Sequence, residues 1–242
     1  MNFSGRTILI SGGTRGIGRA CAEILADLGA SVLVTGTGDA RAPEVRGKGT
    51  IEVLHLDFSR PASVDALCSI LEQRGRIDGL VNNAGINRIN HVWDGLEEDW
   101  DALMQVNLKG IFLLTRWVAN HMRNHRAGRI VNIASVFGVV SREKRFIYST
   151  TKAGLIGFTR GIALDLAPYA VLVNALSPGF VLTDLTRNIL KPEEMARLAE
   201  RIPLGRLAEP HELARPVAFL LSEENTYLTG QNIVVDGGFT CA

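Results

Sequence analysis

A glycine-rich segment near the start of the chain, Gly12 to Gly18, constrains the fold more than any other feature. The apolar run of residues 6–11 before it reads as a fully buried strand, and Cys21, Ile24 and Leu28 recur at helical spacing after it. Glycines between a strand and a helix permit a tight turn and let the backbone approach a pyrophosphate, whose negative charge the amides of the helix start attract. The segment therefore predicts a nucleotide-binding loop, and a glycine-rich turn without a ligand is the alternative.

Further apolar segments continue the pattern along the chain. We expect strands at roughly residues 31–36, 50–56, 77–83, 129–135, 171–177 and 231–235. Helical patterns separate most of them, and this βαβ alternation requires parallel strands with right-handed crossovers. A length of 242 residues suits one doubly wound domain, and no Pro/Ser-rich linker divides it. We therefore predict a single-domain α/β Rossmann fold over residues 1–242, with seven parallel strands and helices on both faces.

A serine, a tyrosine and a lysine in the second half of the chain carry the candidate chemistry. Ser135 precedes Tyr148 by thirteen residues, and Lys152 follows four residues after the tyrosine. Positions i and i+4 share a helix face, so the Lys152 ammonium is expected to lie beside the Tyr148 phenol and favour the phenolate. Lowering the phenol pKa by roughly three units corresponds to about 4 kcal/mol, which this cation and an oxidised nicotinamide ring would supply together. We therefore predict hydride transfer on a carbonyl or alcohol, with Ser135 polarising the substrate oxygen.

Each of these residues also has an ordinary structural interpretation. Tyr148 would be a packed aromatic, Lys152 a solvated helix residue and Ser135 a cap at a strand end. The glycine loop upstream argues against this interpretation, because the loop, the serine and the Tyr-x-x-x-Lys motif occur together in a restrictive order and spacing.

Composition and charge argue against several other classes of protein. The formal net charge is +1, with no long basic run, so neither nucleic acid nor an anionic membrane is an expected partner. No apolar run reaches about 18 residues and no leader pattern opens the chain, so we expect a cytoplasmic protein. Three widely spaced cysteines predict reduced thiols. His121 and His125 have the i, i+4 spacing of a metal-binding pair, but they lack a carboxylate and a third ligand, so no metal site is predicted.

At this point the chain resembles the short-chain dehydrogenase/reductase family, nearly from end to end, and within it the bacterial 3-oxoacyl-[acyl-carrier-protein] reductases. The resemblance rests on the glycine loop, on an Asn-Asn-Ala-Gly segment that ends at Gly85, and on the Tyr-x-x-x-Lys motif. It implies a catalytic set of Asn107, Ser135, Tyr148 and Lys152, in which Asn107 holds a water that links Lys152 to solvent. The cofactor contacts that we predict are Gly12, Thr14, Arg15, Gly16, Ile17, Gly18, Thr37, Asp57, Asn83, Ala84, Gly85, Tyr148, Lys152, Pro178, Gly179 and Thr183. Asp57 would contact the adenine, and the last three would lie on the nicotinamide side.

The end of the second strand should decide between the two nicotinamide cofactors. An NAD enzyme normally has an acid there that binds the ribose hydroxyls, whereas this chain has Gly36 and Thr37. Arg15 and the Thr37 hydroxyl would instead meet a 2′-phosphate, with Arg41 as a weaker candidate. The sequence therefore favours NADP, and NAD stays open because a local bend would bring Asp39 to the ribose.

The substrate is less well specified. Arg129 fits one of the basic positions by which the resembling reductases hold the carrier protein, but Tyr169 occupies the second, which argues against carrier-protein binding. A basic segment before the catalytic tyrosine, residues 141–145, would ring the mouth of the site with positive charge together with Arg88 and His91. Such a ring would suit an anionic substrate, for example a sugar acid, a nucleotide-linked sugar or an acyl thioester carrier. A solvated loop without function is the alternative.

Two further expectations concern the second half of the molecule. Residues 182–210 carry Leu185, Ile189, Leu190, Met195 and Leu198 between charged residues, and we interpret them as a substrate lid or as ordinary surface helices. The helical patterns around residues 99–125 and 149–167 match those through which family members form dimers and tetramers, so the resemblance implies a homo-oligomer. Trp100, Leu103, Phe112 and Trp117 would lie in that interface or in the core.

The sequence thus predicts an NAD(P)(H)-dependent oxidoreductase that interconverts a ketone and a secondary alcohol. A cofactor-binding sensor or scaffold without activity is the competing class. The presence of both Tyr148 and Lys152 favours the enzyme.

Overall fold

One mixed sheet of eight strands organises the molecule, which we describe from a computed structural model that covers residues 1–189 and 191–242. The strands in chain order are β1 (Thr7–Ser11), β2 (Ser31–Gly36), β3 (Arg41–Arg46), β4 (Gly49–His55), β5 (Gly79–Asn82), β6 (Gly128–Ile133), β7 (Val171–Pro178) and β8 (Asn232–Val235). Their order across the sheet is β3-β4-β2-β1-β5-β6-β7-β8. The chain therefore builds outward from β1 in one direction and from β5 in the other.

Eight helices of the described residues flank the sheet. They are α1 (Gly16–Asp27), α2 (Pro61–Glu72), α3 (Glu97–Met104), α4 (Gly110–His125), α5 (Phe146–Leu166), α6 (Asp184–Ile189), α7 (Pro192–Ala199) and α8 (Pro210–Leu221). One hydrophobic cluster packs α1 and α8 on one face, and a second packs α2, α4 and α5 on the other. The doubly wound architecture predicted from the sequence is confirmed, and helices cover both faces of the sheet.

The prediction of seven parallel strands is wrong in one respect. β3 pairs antiparallel with β4 at the edge of the sheet and makes an eighth strand. Its side chains are mostly exposed, with Val45 at 84% exposure, so it contributes main-chain hydrogen bonds and almost no core. Pro43 is compatible with this place, because an edge strand has one side free of ladder hydrogen bonds.

Two long helical stretches correspond to the predicted patterns around residues 99–125 and 149–167. In the first, α3 and α4 are joined by a π-helical turn, Gln105–Lys109. Leu103 is fully buried and Trp117 packs against the core, whereas Trp100 and Phe112 are 40% and 42% exposed.

No helix among the described residues has the length and apolar character needed to cross a membrane.

Candidate active site

The carboxyl ends of the parallel strands meet along one edge of the sheet, and the predicted residues collect there. Ser11 ends β1 beside Asn82 at the end of β5, and Asn82 in turn pairs with Asn132 of β6. The strand order reverses between β1 and β5, and ligands of open α/β sheets bind in the crevice at such a point. The fold alone therefore places a binding cleft beside the glycine loop.

A cavity of about 840 Å³ opens at this edge. It is bordered by most of the predicted residues: Gly12, Thr14, Arg15, Gly16, Ile17, Thr37, Asp57, Asn83, Ala84, Gly85, Ser135, Tyr148, Lys152, Pro178, Gly179 and Thr183. Two predicted residues, Gly18 and Asn107, lie behind its wall. A single continuous space thus joins the glycine loop to the candidate catalytic side chains.

The glycine loop needs its glycines for close packing as well as for its turn. Gly12 has a φ of +65°, and a Cβ there would lie 2.9 Å from the Ala84 Cα. A Cβ on Gly18 would lie 2.5 Å from both the Asn83 Nδ2 and the Gly12 carbonyl oxygen. Gly18 therefore supports the site by letting α1 start against the Asn83 side chain. These contacts fit a dinucleotide cradle, since side chains here would push the loop away from the cleft.

The Ser11 hydroxyl ties this loop to the segment after β5. It accepts hydrogen bonds from the backbone N–H groups of Asn83 at 3.1 Å and of Ala84 at 3.2 Å. The Asn83 side chain returns hydrogen bonds to the carbonyl oxygens of Ser11 and Gly12. The two walls of the cofactor end of the cavity are therefore held at a fixed separation.

Asp57 borders the cavity in the turn after β4. Its carboxylate accepts hydrogen bonds from the Ser59 backbone N–H at 2.9 Å and the Ser59 hydroxyl at 2.6 Å. The Ser59 side chain is the largest of the influences that hold the pKa of Asp57 below its ordinary value. The residue is thus a fixed, ionised acceptor at the end of the cleft where we expect the adenine.

Tyr148 and Lys152 lie on α5, and Ser135 lies just after β6. Burial raises the pKa of the Tyr148 phenol, while a hydrogen bond from Ser135 and the positive charge of Arg145 act in the opposite direction. The Lys152 Nζ lies beside the Tyr148 ring, 5.7 Å from its centroid, while it donates its hydrogen bond to the Ile133 carbonyl oxygen at 2.8 Å. Arg145 is a second cation near the phenol, and its charge favours the phenolate.

Lys152 is itself almost inaccessible, with 3% of its surface exposed. Burial lowers the pKa of its ammonium to about 8. Its surroundings explain this shift, since Ile133 offers one carbonyl oxygen and no carboxylate of the described residues forms an ion pair with it. A lysine in this state is sensitive to small changes in pH and in bound charge.

Asn107 sits in the π-helical turn and is fully buried. Its side-chain oxygen accepts from the Ile86 N–H at 2.8 Å, and its Nδ2 donates to the Ile86 carbonyl oxygen at 2.9 Å and to the Thr151 hydroxyl at 3.2 Å. A Cβ built on Gly85 would lie 3.3 Å from the Asn107 Oδ1 and 3.7 Å from the Lys152 Nζ, so both side chains lie close to Gly85. The hydrogen bonds of Asn107 to Ile86 fix the loop after β5.

The basic groups predicted to ring the mouth separate into two sets. Arg88 and Arg145 border the cavity, whereas His91, Arg142 and Lys144 do not. Arg88 is exposed and its Nε lies 3.3 Å from an Asp99 carboxylate oxygen. Arg145 is only 8% exposed, which the polar segment around it gave no reason to expect.

Sequence reasoning also missed the apolar lining of the substrate end. Phe137 and Phe180 border the cavity and contact each other edge to face, with ring centroids 5.8 Å apart. Phe137 follows Ser135 by two residues and Phe180 follows Gly179 directly, so each adjoins a predicted site residue. Their positions beside those residues were the available signal.

Other groups of interest lie outside the cavity. The three cysteines are free thiols, two of them buried. His125 and His121 belong to an aromatic stack with Trp117, in which the His125 Nδ1 lies 2.9 Å from the His121 carbonyl oxygen. Within residues 1–189 and 191–242 no group of three or more His, Cys, Asp or Glu side chains is placed to hold a metal ion.

Comparisons with known proteins agree with this geometry. The profile of the family described as Enoyl-(Acyl carrier protein) reductase matches residues 12–240. The 3-oxoacyl-[acyl-carrier-protein] reductase FabG of Vibrio cholerae serotype O1 is 41% identical over 98% of this chain and 98% of its own length. FabG of Aquifex aeolicus is 42% identical over the same shares.

Solved structures match over the whole chain as well. Levodione reductase superposes with a TM-score of 0.93 at 30% identity, covering 100% of both chains. A gluconate 5-dehydrogenase from Burkholderia cenocepacia J2315, solved in complex with NADP and tartrate, has a TM-score of 0.91 at 34% identity and covers 100% of this chain and 97% of that one. The protein therefore belongs to the short-chain dehydrogenase/reductase family, and it is an NAD(P)-dependent oxidoreductase acting on CH–OH and C=O groups.

Proposed function

We propose that the protein uses NADP(H) to interconvert a ketone and a secondary alcohol, with Tyr148 as the acid and base and Ser135, Lys152 and Asn107 in support. The observation that carries this proposal is the single cavity that runs from the glycine loop to the side chains of Ser135, Tyr148 and Lys152. A cofactor-binding scaffold would have no need of a buried lysine and a buried serine at the far end of that space.

The reduction assigns a separate task to each residue. When bound, the reduced nicotinamide supplies the hydride that the carbonyl carbon accepts. Ser135 donates a hydrogen bond to the carbonyl oxygen, and the Tyr148 hydroxyl transfers its proton to that oxygen as the C=O bond becomes a C–O–H group. The products are a secondary alcohol, the oxidised cofactor and a tyrosinate, which regains its proton from solvent. Oxidation of the alcohol follows the same steps in reverse.

Two buried groups would support this proton exchange. The protein surroundings alone leave the pKa of Tyr148 above its ordinary value, so the tyrosinate needs positive charge that arrives with the reaction. An oxidised nicotinamide ring and Arg145 would both supply it. Lys152 and Asn107 both lie close to Gly85, and they would carry the proton relay and hold the nicotinamide ribose.

The end of β2 supports NADP over NAD. Gly36 and Thr37 border the cavity together with Arg15, whereas Asp39 and Arg41 do not. Among the described residues, no acid at the end of β2 borders the cavity to bind the ribose hydroxyls, whereas Arg15 borders it and would bind a 2′-phosphate. The gluconate 5-dehydrogenase and ElxO, at 34% and 25% identity, were both solved with NADP.

We expect Gly36→Asp to shift the cofactor preference toward NAD. The parent should favour NADPH over NADH at least tenfold in kcat/KM, and the variant should lose about 100-fold of that ratio, because the new carboxylate repels a 2′-phosphate and accepts the ribose hydroxyls. A Cβ at this position would lie 2.9 Å from the Thr14 Cγ2, so Thr14 must rotate. Thr14→Ser alone and combined with Gly36→Asp separates this crowding from the charge effect. A parent that prefers NADH would contradict the assignment.

Several observations support an anionic substrate. Arg88 and Arg145 border the cavity, and their two positive charges would attract an anionic substrate locally although the whole protein is nearly neutral. The related gluconate 5-dehydrogenase contained tartrate, a dicarboxylate, in its structure. A sugar acid or another hydroxy acid would therefore suit the site.

The second candidate is a 3-oxoacyl-[acyl-carrier-protein] reductase, favoured by the FabG relatives at about 40% identity. The state of Arg129 counts against it. Its guanidinium is half-buried and donates to the carbonyl oxygens of Gly128 at 3.0 Å and Asn225 at 3.1 Å, so it is turned toward its own chain. Tyr169 replaces the second basic position, which leaves the carrier protein without its expected contacts.

A lid is proposed for residues 182–210. Thr183, Asp184 and Thr186 border the cavity, while Ile202 is buried and the Leu204 N–H donates to the Gly237 carbonyl oxygen. We propose that this segment, anchored at its far end by these contacts, covers the cleft with α6 and α7. Of the apolar residues behind this prediction, Leu190 and the side chains of Leu185 and Ile189 lie outside what the structure describes, whereas Leu198 is buried.

A homo-oligomer, dimer or tetramer, is proposed through α4 and α5. Phe112 is 42% exposed on α4 and contacts Phe158 of α5 edge to face, and Leu164 of α5 is 78% exposed. Apolar side chains shared by two adjacent helices form a patch of the kind that self-association covers.

Absorbance of the reduced nicotinamide tests the reaction directly. We expect NADPH consumption with at least one of a panel of oxo acids, neutral ketones, 3-oxoacyl thioesters and nucleotide-linked sugars. Turnover of a carrier-protein thioester with a kcat/KM well above that of every small acid would select the second candidate. Binding of NADPH without turnover of any panel member would favour the scaffold.

A further inference from the structure

We propose that Arg145 forms a carboxylate-binding subsite at the substrate end of the cavity, and that the natural substrate carries a carboxylate one or two bonds from the carbon that changes oxidation state. This inference rests on the proposed function, since it assigns a substrate class to the same cavity. It concerns Arg145 alone and not the surrounding basic loop.

The environment of Arg145 is unusual for a cation. Only 8% of its surface is exposed, and its Nη1 is fully buried with no hydrogen-bond partner among the described residues. Its guanidinium carbon lies 5.9 Å from the centroid of the Phe137 ring, so an aromatic face forms part of its surroundings. A desolvated charge without a hydrogen-bonded partner is costly to a protein, and a bound anion would remove that cost.

No internal counter-ion takes this role within the described chain. Glu143 lies two residues away and is exposed, and Asp184 borders the same cavity, yet neither forms an ion pair with Arg145. The nearest titratable influences are Arg142 and Tyr148, and burial together with the repulsion from Arg142 lowers the pKa of Arg145. The site around Arg145 therefore carries a positive charge that a bound anion would neutralise.

The position of Arg145 relative to Tyr148 and Lys152 distinguishes the substrate end of the cavity from the cofactor end. Arg145 lies immediately before the first residue of α5, whereas Tyr148 lies in the first turn of that helix and Lys152 one turn further on. All three residues border the cavity, and the charge of Arg145 influences the pKa of Tyr148. Lys152 adjoins Gly85 and the cofactor wall, so Arg145 lies on the opposite, substrate side of the tyrosine.

The closeness of Arg145 to Tyr148 in the cavity points to the class of substrate. When the carbonyl oxygen contacts Tyr148, a carboxylate whose carbon is one or two bonds from the carbonyl carbon reaches the Arg145 guanidinium. The planar guanidinium matches the two carboxylate oxygens. Phe137 and Phe180 shield this end from water, which strengthens the ion pair. A carrier-protein thioester has no charge that close to its reacting carbonyl and would leave Arg145 unpaired. The structure thus points to a 2-oxo or 3-oxo acid, or the corresponding hydroxy acid.

Binding of malonate, an unreactive dicarboxylate, tests the subsite without turnover. Calorimetric titration into the protein saturated with NADPH should show saturable binding by the parent, and Arg145→Gln should weaken it about 30-fold, which corresponds to about 2 kcal/mol. Arg142→Gln removes the same charge from an exposed residue outside the cavity and should leave the affinity unchanged. No saturable binding by the parent, or equal affinity in Arg145→Gln, would overturn the proposal.

Kinetics with a matched pair of substrates give the second readout. For 3-oxobutanoate, Arg145→Gln should lower kcat/KM by about 30-fold, whereas for its uncharged methyl ester the loss should stay within about threefold. Arg145→Lys keeps the charge without the fork and should recover part of the loss for the acid. Equal losses for acid and ester would refute the subsite while leaving the proposed function intact. Arg145-dependent malonate binding in a protein that reduces neither compound would support the subsite and refute the function.

Thermal unfolding separates a binding role from a structural one. Because Arg145 has no ion pair among the described residues to lose and its Nη1 no hydrogen bond, Arg145→Gln should leave Tm within about 3 °C of the parent or raise it. A fall of more than about 6 °C, which Arg145→Lys restores, would give Arg145 a role in folding and overturn the proposal.

Discussion

Tyr148→Phe is expected to lower kcat by at least about 1000-fold while the Kd for NADPH stays within about threefold of the parent value. The substitution removes the hydroxyl that we propose to exchange the proton, and the Phe ring keeps the volume beside Ser135. Desolvation raises the pKa of the phenol, so in the free protein the hydroxyl keeps the proton that the proposed reduction needs. Stopped-flow absorbance for turnover and fluorescence titration for NADPH affinity make the two measurements.

The matched control for this variant is Tyr227→Phe. Tyr227 is 96% exposed and does not border the cavity, so the same chemical change there should leave both kcat and affinity unchanged. Turnover of Tyr148→Phe within tenfold of the parent would remove Tyr148 from the mechanism. A large loss of NADPH affinity would instead mean that the hydroxyl serves mainly to bind the cofactor.

The parts of the fold that bury apolar side chains follow from the sequence. β1 and β7 read as strands because continuous apolar runs need cover on both faces, and their observed bounds lie within a residue or two of the expected ones. β3 gives no such signal, because Arg41, Glu44 and Val45 are exposed and the strand is held by main-chain hydrogen bonds to β4. A pattern of side chains does not reveal an edge strand whose stability comes from its backbone.

The candidate site likewise contains residues that the sequence predicts and residues that it does not. Residues that follow a buried strand, such as Asp57 and Ser135, are predictable because topology brings the carboxyl ends of parallel strands to one edge. The hydrogen-bond partner of the Lys152 ammonium is not predictable in this way. The i, i+4 spacing places Lys152 on the same helix face as Tyr148, but it does not reveal that the ammonium donates to the Ile133 carbonyl oxygen. The burial of Arg145 depends on Phe137 packing over it from another loop, a contact that the local sequence does not contain.

Lys152→Met tests the other buried group of the site. Met keeps the length and apolar volume of the side chain and removes the ammonium, so the core around it should stay filled. We expect kcat to fall at least about 100-fold and the Kd for NADPH to rise about tenfold, because the ammonium both supports the proton exchange and holds the nicotinamide ribose. An unchanged Kd with lost turnover would confine Lys152 to the proton exchange.

The pH dependence of cofactor binding sharpens this test. Burial lowers the pKa of Lys152 to about 8 in the free protein, so the ammonium is present below that pH and is lost as pH rises through it. If the charged form holds the cofactor, the parent's Kd for NADPH should be constant below about pH 7 and rise above about pH 8, and Lys152→Met should show neither the low-pH affinity nor the rise. Fluorescence titration from pH 6 to 9.5 measures both curves. Parallel curves for the two proteins would mean that another group titrates, and that the ammonium of Lys152 does not hold the cofactor.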